Sequence, residues 1–136
     1  MKAGKGAFLR IPLLLATLAA ATGSLASAHH GSRISYDLSK TVRLKGIVKV
    51  FSYENPHIYI TFDVKDDKGN VTEWAAETDP PAMMARKFGW TRHYVKPGDE
   101  VTIYLWPSKA GATRGFLARI ETADGRVTDH TEQPQQ

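Results

Sequence analysis

Between Ile58 and Thr78 the chain alternates apolar and polar residues on both sides of a short turn, "DDKGN", and this hairpin constrains the fold more than any other stretch. A three-residue loop of Asp67, Lys68 and Gly69 puts glycine at the left-handed position that such loops favour. Asp66 then faces Asn70, Phe62 faces Trp74 and Ile60 faces Ala76, so both strands turn their apolar side the same way. A two-residue loop sets Phe62 against Ala75 and breaks that agreement, which register specificity disfavours. The spacing therefore predicts Ile58, Ile60, Phe62 and Val64 inward with Trp74, and His57, Tyr59, Thr61 and Asp63 outward. Across the outer face Tyr59 meets Glu77, and His57 lies near Asp79.

The flanking segments extend the pattern. In "TVRLKGIVKV" Val42, Leu44, Val48 and Val50 share one face, and Gly46 is the expected bulge or bend. Pro56 cannot donate to a ladder, so the next strand starts there or just after. "TDPPAMMARKFGW" reads as a short helix, with Thr78 or Asp79 as cap, Pro80 or Pro81 in its first turn and Gly89 at its exit. Met84 and Phe88 sit four apart on its buried side. Two more strands follow, one with Val101, Ile103 and Leu105 inward and one with Phe116, Ala118 and Ile120. A turn at Asp124-Gly125 and a short return complete the domain. Three strands, a helix and two strands are the order of the OB-fold, so the predicted class is all-β with small α content: a five-stranded OB-like barrel with one short helix between strands 3 and 4.

The N-terminus sets the compartment. "MKAGKGAFLR" carries Lys2, Lys5 and Arg10 and no acid, an apolar run follows from Ile11 to Ala26, and Ala26-Ser27-Ala28 closes it. These three parts make a secretory signal peptide. The run is too short, and too diluted by Thr17, Thr22, Gly23 and Ser24, for a spanning helix of roughly 20 apolar residues. The expected organisation is a signal peptide over 1–28, an N-terminal arm over 29–40, the barrel over 41–128 and a flexible tail over 129–136. The expected location is the periplasm, with no stable membrane insertion after cleavage. Loss of the three cations takes the formal net charge from +4 to +1, which leaves no basic stripe for phosphates and argues against nucleic acid as a partner. Cysteine is absent, so disulfides and thiolate sites are excluded.

Cleavage after Ala28 makes His29 the first residue of the mature chain, with His30 beside it. An α-amine has a pKa of about 7.7–8.0, low enough to serve as a nitrogen ligand near neutral pH. Amine and imidazole of His29, with His30 or His57, form a nitrogen-rich set suited to Cu(II), with Ni(II) or Zn(II) behind it. Ten extended residues from Gly31 to Lys40 reach about 33 Å, enough to fold the end back over the rim that carries His57. Glu77 and Asp79 are the acceptors expected to orient the histidine. His93 and His130 read as surface residues. No nucleophile motif stands out, so binding is expected in preference to catalysis. The alternative reading is an interaction module in which Tyr53, Tyr59, Tyr104 and Trp106 form an aromatic rim for a glycan, a peptide, an envelope protein or a small ligand.

The His29-His30 start, "ENPHIYI", "EWAAE", the proline-started helix ending in "GWTR", "VKPGDEVT" and "ATRGFLARI" together resemble a family of small exported bacterial (proteobacterial) proteins with no assigned function. The resemblance covers His29 to about Val127. It implies a Gram-negative periplasmic setting and an OB-like barrel, and it brings no catalytic residues with it. In broad outline the chain is also similar to bacterial periplasmic OB-fold stress proteins.

Overall fold

The structure, a computed structural model, describes Met1 and residues 33–131. Residues 2–32, which include His29, His30 and nearly all of the expected signal peptide, and the last five residues lie outside the described residues. The described chain runs β1 (Val42–Ser52), β2 (Ile58–Lys65), β3 (Val71–Thr78), α1 (Pro81–Phe88), β4 (Glu100–Pro107), β5 (Arg114–Thr122) and β6 (Val127–Asp129). The strands follow the order β3-β2-β1-β4-β5-β6, and a parallel pairing of β3 with β5 closes the first five into a barrel. With α1 between the third and fourth strands, this is an OB-fold topology. Among the described residues no helix is long and apolar enough to cross a membrane.

The hairpin register is the one its apolar alternation requires. Phe62 pairs with Trp74, Ile60 with Ala76 and Tyr59 with Glu77. Asp66 N–H donates to the Asn70 carbonyl at 2.9 Å, and Gly69 takes φ 87°. Phe62 is fully buried, while Trp74 packs against the core from a half-buried position. β3 pairs with β5 only over Ala75–Glu77, so the first half of β3 has no neighbour on that side to cover the indole.

Two strands depart from simple alternation. In β1 the register shifts between Val48 and Val50, so Val50 turns out to solvent and Phe51 packs against the core in its place. The bulge lies there and not at Gly46. Gly46 instead marks a close approach, because a Cβ on it would stand 2.5 Å from the Asp63 carbonyl oxygen and 2.8 Å from Phe62 Cδ2. In β5, Leu117 pairs with Leu105 and Arg119 with Tyr104, so Ala118 is skipped. Leu117 and Ile120 therefore enter the barrel core, whereas Phe116 and Ala118 join Trp106 and Tyr36 in a second cluster. The N-terminal arm supplies Tyr36 to that cluster, and alternation along β5 cannot reveal it.

α1 ends as expected, with Gly89 in the left-handed region (φ 69°) and its N–H on Ala85 O. Its start has no side-chain cap. Neither Thr78 nor Asp79 caps it. The Thr78 hydroxyl points to Met84 Sδ at 3.6 Å, and Asp79 is drawn away by Arg33 and His130. Met84 and Trp90 are fully buried at this end of the barrel.

His130 is the clearest correction. Its neighbours in sequence are polar, yet it is buried, its ring 5.0 Å from Phe88 and 6.3 Å from Phe116, and its N–H donates to Ala118 O at 2.8 Å. Asp129 belongs to β6, so the packed domain extends two residues past 128. His93 is exposed as expected. Burial pushes the His130 pKa down. Arg33 and Lys87 add to that effect, while Asp79 and Asp129 oppose it. A histidine whose native pKa lies below its unfolded value of about 6.5 gives stability that is complete above that pH and is lost as pH falls through the native value. Urea unfolding at pH 7.5 and pH 5.5 should show the lower stability at pH 5.5, and His130→Gln should flatten that slope. An unchanged slope would place the responsible proton elsewhere.

Candidate functional site

Four elements meet on the outer wall of the barrel where β2, β3 and the start of β5 adjoin the arm. Outward alternation on β3 places Glu77 there, opposite Tyr59 of β2. The β1–β2 connection brings His57, and the β4–β5 connection ends at Arg114, which pairs with Ala75. OB-folds use this face, with these two connections, to hold ligands.

The arm is fixed to the β4–β5 connection by its backbone. Asp37 N–H donates to Pro107 O at 2.9 Å, and Lys109 N–H donates to Ser35 O at 3.0 Å. Tyr36 is thereby laid over Phe116, with ring centroids 6.0 Å apart. Its hydroxyl donates a short hydrogen bond to Glu77 Oε2. The other oxygen, Oε1, lies 2.6 Å from His57 Nδ1. Glu77 is only 8% exposed. An ionised carboxylate only accepts, so the proton of a neutral His57 sits on Nδ1 and the Nε2 lone pair faces away from Glu77.

Burial, and then the bond to Glu77, push the Tyr36 hydroxyl pKa far up, with Arg114 acting in the opposite direction. Tyr59 is also pushed up, first by burial and then by the Glu77 charge, again against Arg114. Both phenols therefore stay protonated. The arrangement is an imidazole oriented by a carboxylate that a second donor, the Tyr36 hydroxyl, also engages.

Of the residues singled out in the sequence, His57, Tyr59 and Glu77 come together here. Asp79 does not reach this group. Its carboxylate lies 3.6 Å from Arg33 Nη2 and 3.8 Å from His130 Nδ1, and Arg33 also covers the Phe116 ring at 4.9 Å. Tyr53 is placed elsewhere, its hydroxyl between the carbonyls of Pro81 and Trp90 at 3.1 and 3.0 Å. His29 and His30 lie outside the described residues. Among the described residues no three histidine or acidic side chains converge as a metal site. Tyr36, Arg33 and Arg114 carried no sequence signal. Each sits in a polar stretch and gains its role only through contacts distant in sequence.

The four aromatic residues expected to form one rim do not share an exposed strip. Trp106 is buried beneath Tyr36 and Phe116. Tyr53 is tied inward. Tyr104 lies between Arg43 and Arg119, whose guanidinium carbons are 5.8 and 5.7 Å from its ring centre. Tyr59 is the exposed one of the four.

A family of unknown function, DUF6152, matches residues 16–118. No curated protein matches the chain. Two solved structures of the mitochondrial single-stranded DNA binding protein Rim1 from S. cerevisiae are similar to it. One has 9% identity and a TM-score of 0.46 and covers 64% of this chain and 97% of its own. The other has 8% identity and a TM-score of 0.42 and covers 64% and 96%.

Proposed function

We propose, for a chain that belongs to the DUF6152 family, the role of an exported periplasmic binding protein that holds Cu(II) or another divalent metal between His57 and the histidines of its mature N-terminus. The observation that carries this reading is the His57–Glu77 pair. Metal-ligating histidines donate their second ring N–H to a carboxylate, which sets the tautomer and aims the free nitrogen. The 2.6 Å contact of Nδ1 with Glu77 is such a pairing, and it leaves Nε2 as the ligand atom.

The remaining ligands come from the arm. Arg33 is held at Asp79 and Tyr36 at Glu77, so the arm enters the described structure beside His57. His30 stands three residues before Arg33 in the sequence, a span of at most about 10 Å. Removal of the signal after Ala28 gives His29 a free α-amine next to its imidazole. Amine and imidazole nitrogens favour Cu(II) among the divalent ions. The small positive charge of the mature chain gives no support to nucleic acid as the ligand.

Cu(II) titration of the chain beginning at His29 tests the reading against two variants: one with an alanine added before His29, and His57→Ala. Each change should weaken binding by about 10–100-fold, the usual penalty for disturbing a ligand or its support. Equal binding by all three chains overturns the proposal. N-terminal sequencing of the exported protein should find His29 first.

A further inference from the structure

We propose that the outward face of β1, β2 and β3 is a second binding site, for an oligosaccharide that carries a single carboxylate, with Tyr59 under its rings and Arg114 on its acid group. The site is built from described residues alone. It goes beyond the metal reading above and does not depend on it.

The registers sort this face into three rows. In the middle row Val50 pairs with Thr61, Thr61 with Ala75 and Ala75 with Arg114. The row has no charge until Arg114, and Val50 is 54% exposed. Tyr59, 38% exposed, stands in the next row between Ser52 and Glu77. Both flanks carry acids that are already matched. On one, Glu77 is engaged by His57 and Tyr36. On the other, Lys49 Nζ lies 2.6 Å from Glu73 Oε2 and 3.7 Å from Asp63 Oδ1. Arg114 is exposed, and among the described residues no acidic side chain comes within 4.0 Å of its guanidinium. Its charge still reaches the face, because it opposes the rise in hydroxyl pKa of both Tyr36 and Tyr59. Three strand spacings make the middle row roughly 14 Å long. An uncharged strip closed by one unmatched cation fits a neutral body with one anionic end.

The chemistry of the strip selects among such bodies. The backbone of β2 is paired to β1 on one side and to β3 on the other, so the face offers an extended peptide no ladder to join. A nucleic acid brings a phosphate at every nucleotide, and here one unmatched guanidinium is set among Asp63, Glu73 and Glu77. A sugar needs what the strip has. Tyr59 gives a flat aromatic surface for the C–H face of a ring. The hydroxyls of Ser52, Tyr59 and Thr61 donate to and accept from those of the sugar. An arginine holds a carboxylate through two parallel bonds.

Calorimetric titration of the chain beginning at His29, with EDTA present throughout, tests the site with cellobiouronic acid, cellobiose and tetrathymidylate as probes. The acidic disaccharide should bind about tenfold more tightly than the neutral one, the usual worth of a hydrogen bond to a charged group. Arg114→Gln should abolish that difference, and Arg114→Lys should restore part of it. Tyr59→Ala should weaken both sugars by about fivefold. Arg43→Gln, on the far side of β1 beside Tyr104, should change neither. The proposal is overturned if neither sugar binds, if the two bind alike, if Arg114→Gln keeps the preference, or if tetrathymidylate binds more tightly than both. None of these outcomes touches the metal reading, since metal is chelated in every arm.

Discussion

Replacing Trp90 by alanine should lower the unfolding free energy by about 3–5 kcal/mol, the usual loss when a large core aromatic is emptied. Trp90 is 1% exposed. Its ring stacks on Tyr94 at 4.0 Å and 13°, and its edge meets Phe51 at 6.1 Å. Its Nε1–H donates to Thr128 Oγ1 at 2.9 Å, and the same hydroxyl is 3.0 Å from Tyr94 OH. The indole therefore joins α1, β6 and the barrel end through both packing and a buried bond. Trp74→Ala should cost about half as much, because Trp74 is only half-buried and is linked to one partner strand. Urea unfolding of both variants at pH 7.5 checks the ratio. Equal losses would mean that the end of the barrel below α1 is not closed by Trp90.

Gly115→Val should cost about 3 kcal/mol, at the upper end of the usual penalty for overpacking. A Cβ at this position would lie 2.5 Å from the Trp106 carbonyl oxygen and 2.8 Å from Leu105 Cβ. The first of these is backbone and cannot rotate away. Relief requires β5 to separate from β4 where Pro107 pairs with Gly115. That movement would also shift Arg114 and the pairing of Ala76 with Gly115 on the other side. Thr113→Ala, two residues earlier and exposed, should stay within about 0.5 kcal/mol. The contrast is read from the same unfolding curves, and similar losses at the two positions would deny the close approach.

What could be read in the sequence was whatever local chemistry decides. The Phe62–Trp74 register follows from a glycine turn and two apolar faces that must agree. The Gly89 exit of α1 follows from the need for a left-handed residue there. The pairing of Tyr59 with Glu77, and His57 beside them, came from that same register. The site as a whole was less legible. Tyr36 reaches Glu77 across 41 residues, and nothing near Tyr36 distinguishes it from any tyrosine in a polar arm. Val50 and Phe116 were misplaced because a bulge inverts the parity of a strand without changing its composition. His130 was misplaced because its burial depends on two phenylalanines from other elements.

The β3–β5 seam joins only Ala75, Ala76 and Glu77 to Arg114, Gly115 and Phe116, whereas the β2–β3 ladder runs from Ile58–Thr78 to Lys65–Val71. The other barrel ladders join antiparallel neighbours. The seam alone is parallel, and it joins strands separated by a helix and a further strand. Closing it costs the entropy of a long loop in return for few bonds. On that ground the antiparallel hairpins are expected to form before the seam. Tyr36 and Glu77 belong to opposite sides of that line, since the arm rides on the β4–β5 connection and Glu77 on β3. Their bond spans the seam, so the arm works as a strap across the one place where the barrel is joined by few bonds.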